Sequence, residues 1–317
     1  MSVARIVFLD CASLPVPLPE FPFPHELVSY AETPADALVA RSRGATVLIV
    51  NKQVLDRETL GQLPGLRLIA VAATGVNNVD LEACRELGIG VCNVRHYGDE
   101  AVAEHAFMLM LALMRNLPTY RQAVFDGDWS RSRQFCLYDA PVRDVSGATL
   151  VIIGAGGIGR ALAERARAFA MEVRFAERKG VQTVRPGYCS FSEGLACADV
   201  LSLHCLLTED TRGMIGAAEL AAMRPDAVLI NTSRGGLVDE GALLDALRGG
   251  RLYGAGLDVL GEEPPRADSL LPSNPLPNLI VTPHIAWASH QAMTRLAAQV
   301  VDNIGGFLDG GAYHRVV

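Results

Sequence analysis

Short apolar, β-branched runs alternate along this chain with stretches whose apolar residues recur at helical spacing. RIVFLD near the N-terminus, TVLIV ending at Val50, LRLIAVAA from Leu66 and IGVCN from Ile89 read as strands. Helices are expected from Ala35, near Leu60 and from Leu81, and this βα alternation predicts a parallel sheet. A helix of about 18 residues follows from Glu100 to Leu117, apolar on most faces through VAEHAFMLMLALM. That is more apolar surface than the flank of one domain usually covers, which places it at a domain or subunit interface.

Pro118 to Val145 loses the periodicity and reads as a long connecting loop. From Ala148 the alternation restarts: ATLVIIG, a helix to Ala170, EVRFAE, a short helix near Gly194, DVLSLHC, a helix near Leu220, AVLIN, a helix from Glu240, YGAGLDV and LIVTP. Two βα domains in tandem are expected. Met293, Leu296, Ala297, Val300, Val301 and Ile304 predict an amphipathic helix over Ser289 to Leu308, packing back on the first domain. There is no low-complexity tract and no short-period repeat.

Composition narrows the class. Of 317 residues half are hydrophobic and a fifth charged, with a net charge of −7, which describes a globular chain and excludes disorder as its main state. The acidic balance and the lack of any Lys/Arg run argue against a nucleic-acid partner. Ala106 to Met114, the longest apolar run, is far short of the roughly 20 residues a membrane span needs. The N-terminus reads as a first strand rather than a signal peptide, so a cytoplasmic protein is expected. Seven scattered cysteines with no CxxC pair read as reduced and mostly structural, and the even spacing of Cys189, Cys197 and Cys205 is not taken as a metal site.

The most specific local signal is GAGGIG, residues 154 to 159, between an apolar strand and a helix, with Glu177 closing the next strand. Gly154 allows the tight turn and Gly156 lets backbone N–H groups approach a pyrophosphate. Gly157 and Ile158 open the helix whose N-terminus faces the phosphates, and Gly159 lets that helix pack on the sheet. Glu177 would accept hydrogen bonds from the adenosine ribose hydroxyls and repel a 2′-phosphate, favouring NAD(H). Arg178 and Lys179 beside it would hold that phosphate and admit NADP(H).

Three further segments end strands on the carboxyl edge of the second sheet: NTSRGGLVDE, GLDVLGEEP and VTPHIAWAS. Reducing a 2-oxo acid by hydride transfer needs a cation for the carboxylate and carbonyl and an acid for the forming alkoxide. Arg234 suits the first task through its planar fork and His284 the second, with Glu263 as the carboxylate that fixes the ring's tautomer and favours its protonated form.

These motifs, in this order and together with SLHCLLTEDT, resemble the NAD-dependent D-2-hydroxyacid dehydrogenase family over nearly the whole chain. VAATGVNNVDLEA, WSRSRQFC and Trp287 make it most similar to the bacterial hydroxypyruvate reductases, also called glycerate dehydrogenases, within that family. The resemblance implies two parallel-sheet α/β domains, Rossmann-like and flavodoxin-like, with an NAD-binding domain over 99–286 inserted into a substrate domain of 1–98 plus 287–317. It implies a catalytic triad of Arg234, Glu263 and His284, and a homodimer formed through the cofactor domain. Thr232, Ser233, Arg234, Asp258 and His284 would line the cofactor, with Asp258 at its nicotinamide end and His204 either structural or cofactor-lining. The loop holding Thr74 and Gly75 would bind the substrate carboxylate through backbone N–H groups.

Trp287, with Trp129 and Phe135, would set substrate size. Asn51 and Lys52 would meet a hydroxyl at carbon 3, as in hydroxypyruvate, or simply cap the following helix. The expected reaction is reduction of hydroxypyruvate or glyoxylate to D-glycerate or glycolate. An NAD(H)-sensing scaffold is the rival class, and dehydrogenases of phosphite or of a branched 2-hydroxy acid are the rivals within the enzymes. Two residues depart from the family pattern: Glu177 stands where aspartate is usual, and Leu206 replaces the usual proline.

Overall fold

The computed structural model describes residues 3–311 and 313–317. The chain divides into two compact units, one running to Gly98 and joined by Ala288–Val317, the other Asp99–Trp287.

In the first unit β1 (Ala4–Phe8), β2 (His25–Ser29), β3 (Val47–Val50), β4 (Leu68–Val71) and β5 (Gly90–Cys92) form one sheet in the order β2-β1-β3-β4-β5. Every pairing is parallel, and the order is that of flavodoxin-like folds. β3 and β4 are buried at every position because helices cover both faces, which is why they read as unbroken apolar runs. β2, with the sequence HELVS, is not among the expected strands, being an edge strand with most of its side chains in solvent. The helix Leu81–Leu87 starts where the Asp80 side chain accepts the Ala83 N–H and stops at Gly88, which has φ 70°.

The C-terminal helix His290–Leu308 is capped by Ser289 and buries Leu296, Ala297, Val300, Val301 and Ile304, as their spacing predicted. Asn303 ties it to the first unit by donating to the Asn93 carbonyl at 2.9 Å.

The second unit contains β6 (Thr149–Ile153), β7 (Glu172–Ala176), β8 (Tyr188–Cys189), β9 (Val200–Leu203), β10 (Val228–Asn231), β11 (Gly254–Leu257) and β12 (Leu279–Val281). They form one sheet, ordered β12-β11-β10-β9-β6-β7-β8, with parallel pairing throughout. The strand order reverses between β6 and β9, and open α/β sheets bind ligands outside the carboxyl ends at such a point.

The long apolar helix spans Asp99–Met114 and ends before Asn116, whose φ is 51°. It packs on its own unit, where Phe107, Leu109, Met110 and Leu113 join the cluster of Leu150, Ile152, Ala163 and Ile230. Gly256 makes the approach close, since a Cβ there would lie 3.0 Å from both Leu109 Cβ and Ile230 Cδ1. Two short helices, Leu117–Phe125 and Asp128–Arg131, occupy the stretch expected to be a loop. Neither buries any residue, so no apolar periodicity announced them.

Candidate active site

The glycine motif forms the turn from β6 into the helix Gly157–Ala168. Gly154 has φ 106°, and a Cβ there would lie 2.3 Å from the His204 carbonyl oxygen; at Gly159 it would lie 2.1 Å from the Gly154 oxygen. Both glycines are therefore required by the protein's own packing. Gly156 is different: nothing stands within 4 Å of a Cβ built there, so the backbone before the helix N-terminus is open to an approaching group. Gly157 packs against Asp99, with its Cβ position 1.8 Å from Oδ2, and Ile158 follows within the first turn of the helix.

The polar lining continues on neighbouring strands. His204 shares a hydrogen with Ser202 Oγ through Nε2 at 2.8 Å, and burial pushes its imidazole down to about 4, so the ring is neutral at pH 7. Its Nδ1 and the Thr232 Oγ1 are shielded atoms with no hydrogen-bond partner among the described residues. An open glycine turn, a helix N-terminus and these two orphaned groups fit a dinucleotide.

After β10 the chain turns through Thr232, Ser233 and Arg234. Asn231, buried, holds this turn: its Oδ1 accepts the Ser233 N–H at 3.0 Å and its Nδ2 donates to the Arg234 carbonyl at 2.9 Å. The Ser233 hydroxyl donates to the Leu203 carbonyl at 2.8 Å. The Arg234 side chain is exposed, with Nη1 donating to the Ser233 carbonyl at 2.7 Å. Gly235 presses on the loop after β11, because a Cβ there would sit 1.9 Å from the Leu260 carbonyl carbon.

That second loop carries Glu263. Its Oε1 accepts the Leu260 N–H at 2.8 Å and its Oε2 lies 2.6 Å from His284 Nδ1. Glu240 supports the same loop by accepting the Gly261 N–H at 2.7 Å. Side-chain exposures of 30% for His284 and 32% for Glu263 leave the pair accessible.

His284 sits at φ 54°, with its N–H donated to the Asp258 and Thr282 carbonyls. Asp258, 1% exposed, gathers this segment: it accepts the Thr282 hydroxyl at 2.6 Å, the Ile285 N–H at 3.0 Å and the Ala286 N–H at 2.8 Å. His105 Nε2 lies 3.5 Å from the same carboxylate, and burial holds this imidazole below its ordinary value against the pull of Asp258. Asp258 thus holds the backbone that presents His284, and Trp287 follows, half-buried, at the end of the unit.

Glu177 is placed at the end of β7, but its carboxylate already has a partner. Arg185 donates to it from Nε at 2.6 Å, from Nη2 at 2.9 Å and from its backbone N–H at 3.0 Å. These hydrogen bonds bring the Glu177 carboxyl down to about 2. Arg185, like Asn231 and Glu240, was missed in the sequence, since no short-range spacing joins it to the residue it serves. Arg178 is exposed, and Leu206, in place of proline, is 80% exposed.

In the first unit Thr74 donates its hydroxyl to the Val94 carbonyl at 2.9 Å and accepts Asn93 Nδ2 at its own carbonyl, and Gly75 follows half-buried. Asn51 is buried, with Nδ2 directed to the Ser13 carbonyl at 3.3 Å, whereas Lys52 is exposed. The backbone N–H groups of Asn51, Lys52 and Gln53 all converge on Asp10. Neither residue caps the following helix, whose N-cap is Asp56. Asn51 therefore knits the strand end together and does not offer its amide to solvent. Among the described residues no group of three or more His, Cys, Asp or Glu is placed to hold a metal ion.

A family model for the D-isomer specific 2-hydroxyacid dehydrogenase, NAD binding domain, matches residues 107–286. The chain is 47% identical over 307 residues to the glycerate dehydrogenase of Methylorubrum extorquens, covering 96% of each. It is 34% identical over 284 residues to the hydroxypyruvate reductase of Blautia hydrogenotrophica, covering 88% of this chain and 87% of that one. A crystal structure of a protein from Thermus thermophilus, 34% identical, matches with a TM-score of 0.85 over 99% of this chain and 100% of the other.

Proposed function

This chain belongs to the D-isomer specific 2-hydroxyacid dehydrogenase family, and from that premise we propose that it reduces hydroxypyruvate, with glyoxylate as a second substrate, to the D-2-hydroxy acid. It is an NAD(P)-dependent oxidoreductase with a nicotinamide-dinucleotide domain. The observation that carries the reading is the 2.6 Å contact between His284 Nδ1 and Glu263 Oε2.

A bound reduced nicotinamide supplies hydride to the carbonyl carbon. Arg234 holds the substrate carboxylate and polarises the carbonyl through its planar, cationic fork. Glu263 engages Nδ1, which leaves Nε2 as the ring nitrogen that gives its proton to the forming alkoxide. Hydride on carbon and proton on oxygen complete the alcohol, and His284 is left neutral, to be reprotonated from solvent. In the reverse direction the same ring accepts the hydroxyl proton. Roles for Thr74, Gly75, Lys52 and Trp287 in holding the substrate belong to this reading, with residues 99–286 as cofactor domain and 1–98 plus 287–317 as substrate domain.

We take the working form to be a homodimer, supported by apolar side chains left in solvent by the second unit, among them Leu117 at 59%, Phe125 at 71% and Phe135 at 90% exposure. A cytoplasmic setting is supported by seven cysteines with no disulfide among them. No described helix is long and apolar enough to cross a membrane.

Oxidation of NADH and, in parallel, NADPH, followed with hydroxypyruvate, glyoxylate, pyruvate and a branched 2-oxo acid, tests the proposal. Hydroxypyruvate should give the highest kcat/KM. A chain that binds NADH and reduces none of the four acids would instead be a sensing scaffold.

A further inference from the structure

β6 and β7 run side by side with Ile153 opposite Ala176, so Gly154 and Glu177 leave the sheet on neighbouring strands at the same edge. In a doubly wound sheet an acidic residue there meets the adenosine ribose, where a free carboxylate accepts its hydroxyls and repels a 2′-phosphate. Glu177 is not free. Its side chain is 4% exposed, and Oε1 accepts two hydrogens from Arg185 while Oε2 accepts a third.

Arg185 is held on two sides, with its guanidinium carbon 4.0 Å above the Tyr188 ring and one edge against the carboxylate. The side chain is still 59% exposed. A guanidinium has five N–H donors, and this side-on pairing uses only Nε and one hydrogen of Nη2, so the outer donors remain available.

The neighbouring charges point the same way. Lys179 Nζ is paired with Glu219 at 2.8 Å, so that cation is balanced. Arg178 is exposed and its side chain makes no hydrogen bond or ion pair among the described residues. The rim next to the ribose position therefore carries a neutralised carboxylate and an unbalanced arginine, a surface that attracts a dianion.

We propose that Arg185 selects the cofactor: by neutralising Glu177 and offering its outer N–H groups, with Arg178 as a second contact, it lets this site accept the 2′-phosphate of NADP(H) as well as the free ribose of NAD(H). The inference rests on the chain being a nicotinamide-dependent reductase.

Binding of nucleotides to the intact chain without substrate, measured by calorimetry, tests it apart from turnover. Wild-type protein should bind NADPH and NADH with Kd values within about tenfold of each other, and should bind 2′,5′-ADP at least as tightly as 5′-AMP. Arg185→Ala uncovers the carboxylate and should raise the NADPH Kd by roughly tenfold or more while NADH changes by less than about threefold. Adding Glu177→Gln to that variant should recover NADPH binding.

Equal weakening of both cofactors by Arg185→Ala would make the pair merely structural and overturn the proposal. So would a wild-type preference of more than about tenfold for 5′-AMP over 2′,5′-ADP, a comparison that decides the matter even where the variants do not fold. NADH binding without NADPH binding overturns this inference alone. Binding of neither removes the reductase reading with it.

Discussion

Glu263 holds His284 by Nδ1 with one carboxylate oxygen while the other accepts the Leu260 N–H, so the acid that orients the imidazole is itself oriented by its own loop. Removing the imidazole should lower kcat by about 10²–10⁴, the usual size of a general acid's contribution, and weaken NADH binding far less. A His284→Ala variant with near-normal kcat in steady-state assays would reassign the proton donor.

Glu263→Gln keeps the shape and loses the charge. The carboxylate fixes the tautomer and orientation of the ring through Nδ1, whereas an amide can turn its NH2 toward that nitrogen, so kcat should fall by about 10²-fold or more. A kcat that does not change in steady-state assays would remove Glu263 from this role.

Arg234→Lys keeps the positive charge but loses the planar fork. We expect kcat/KM for hydroxypyruvate to fall by about 10²-fold or more, because a single ammonium cannot hold carboxylate and carbonyl together. Steady-state kinetics set beside an unchanged urea unfolding curve would separate this from a folding defect.

Gly235→Ala places a methyl group into the Leu260 carbonyl carbon, 1.9 Å away in the present backbone. The loops carrying Arg234 and Glu263 must then part. Stability should fall by about 1–3 kcal/mol, in the range of overpacked sites, and activity should fall further than stability explains. Urea unfolding set beside the kinetics of the folded fraction would check both.

The Glu177 carboxyl, held near 2 by Arg185 against an ordinary 4.5, links this pair to pH. A lowered folded-state value gives stability that is present above about 4.5 and is lost as pH falls toward about 2. Arg185→Ala should therefore destabilise the protein at pH 7, and its difference from wild type should shrink as pH drops below about 4.5. Thermal unfolding at a series of pH values would show the two curves converge; a constant gap would mean the pair contributes through packing alone.

The local signals carried much of this protein because they are short-range. Alternating β-branched runs and helical spacing announced the inner strands and the C-terminal helix, and Gly154, Gly156 and Gly159 were recognisable because a strand and a helix flank them within a few residues. Arg234, Glu263 and His284 stood out as candidates because each lies in a segment that follows a strand at one sheet edge. The edge strand His25–Ser29 and the helices after Asn116 escaped because exposed elements have no periodic apolar face to announce them.

What only the tertiary structure decided is who partners whom. Asp258 gathers the backbone on which His284 stands, Asn51 is buried beside Ser13, and Arg185 closes on Glu177. A carboxylate's chemistry depends on the donors within about 3 Å of it. Those donors are brought there by strand register and loop path, which no spacing along the chain records.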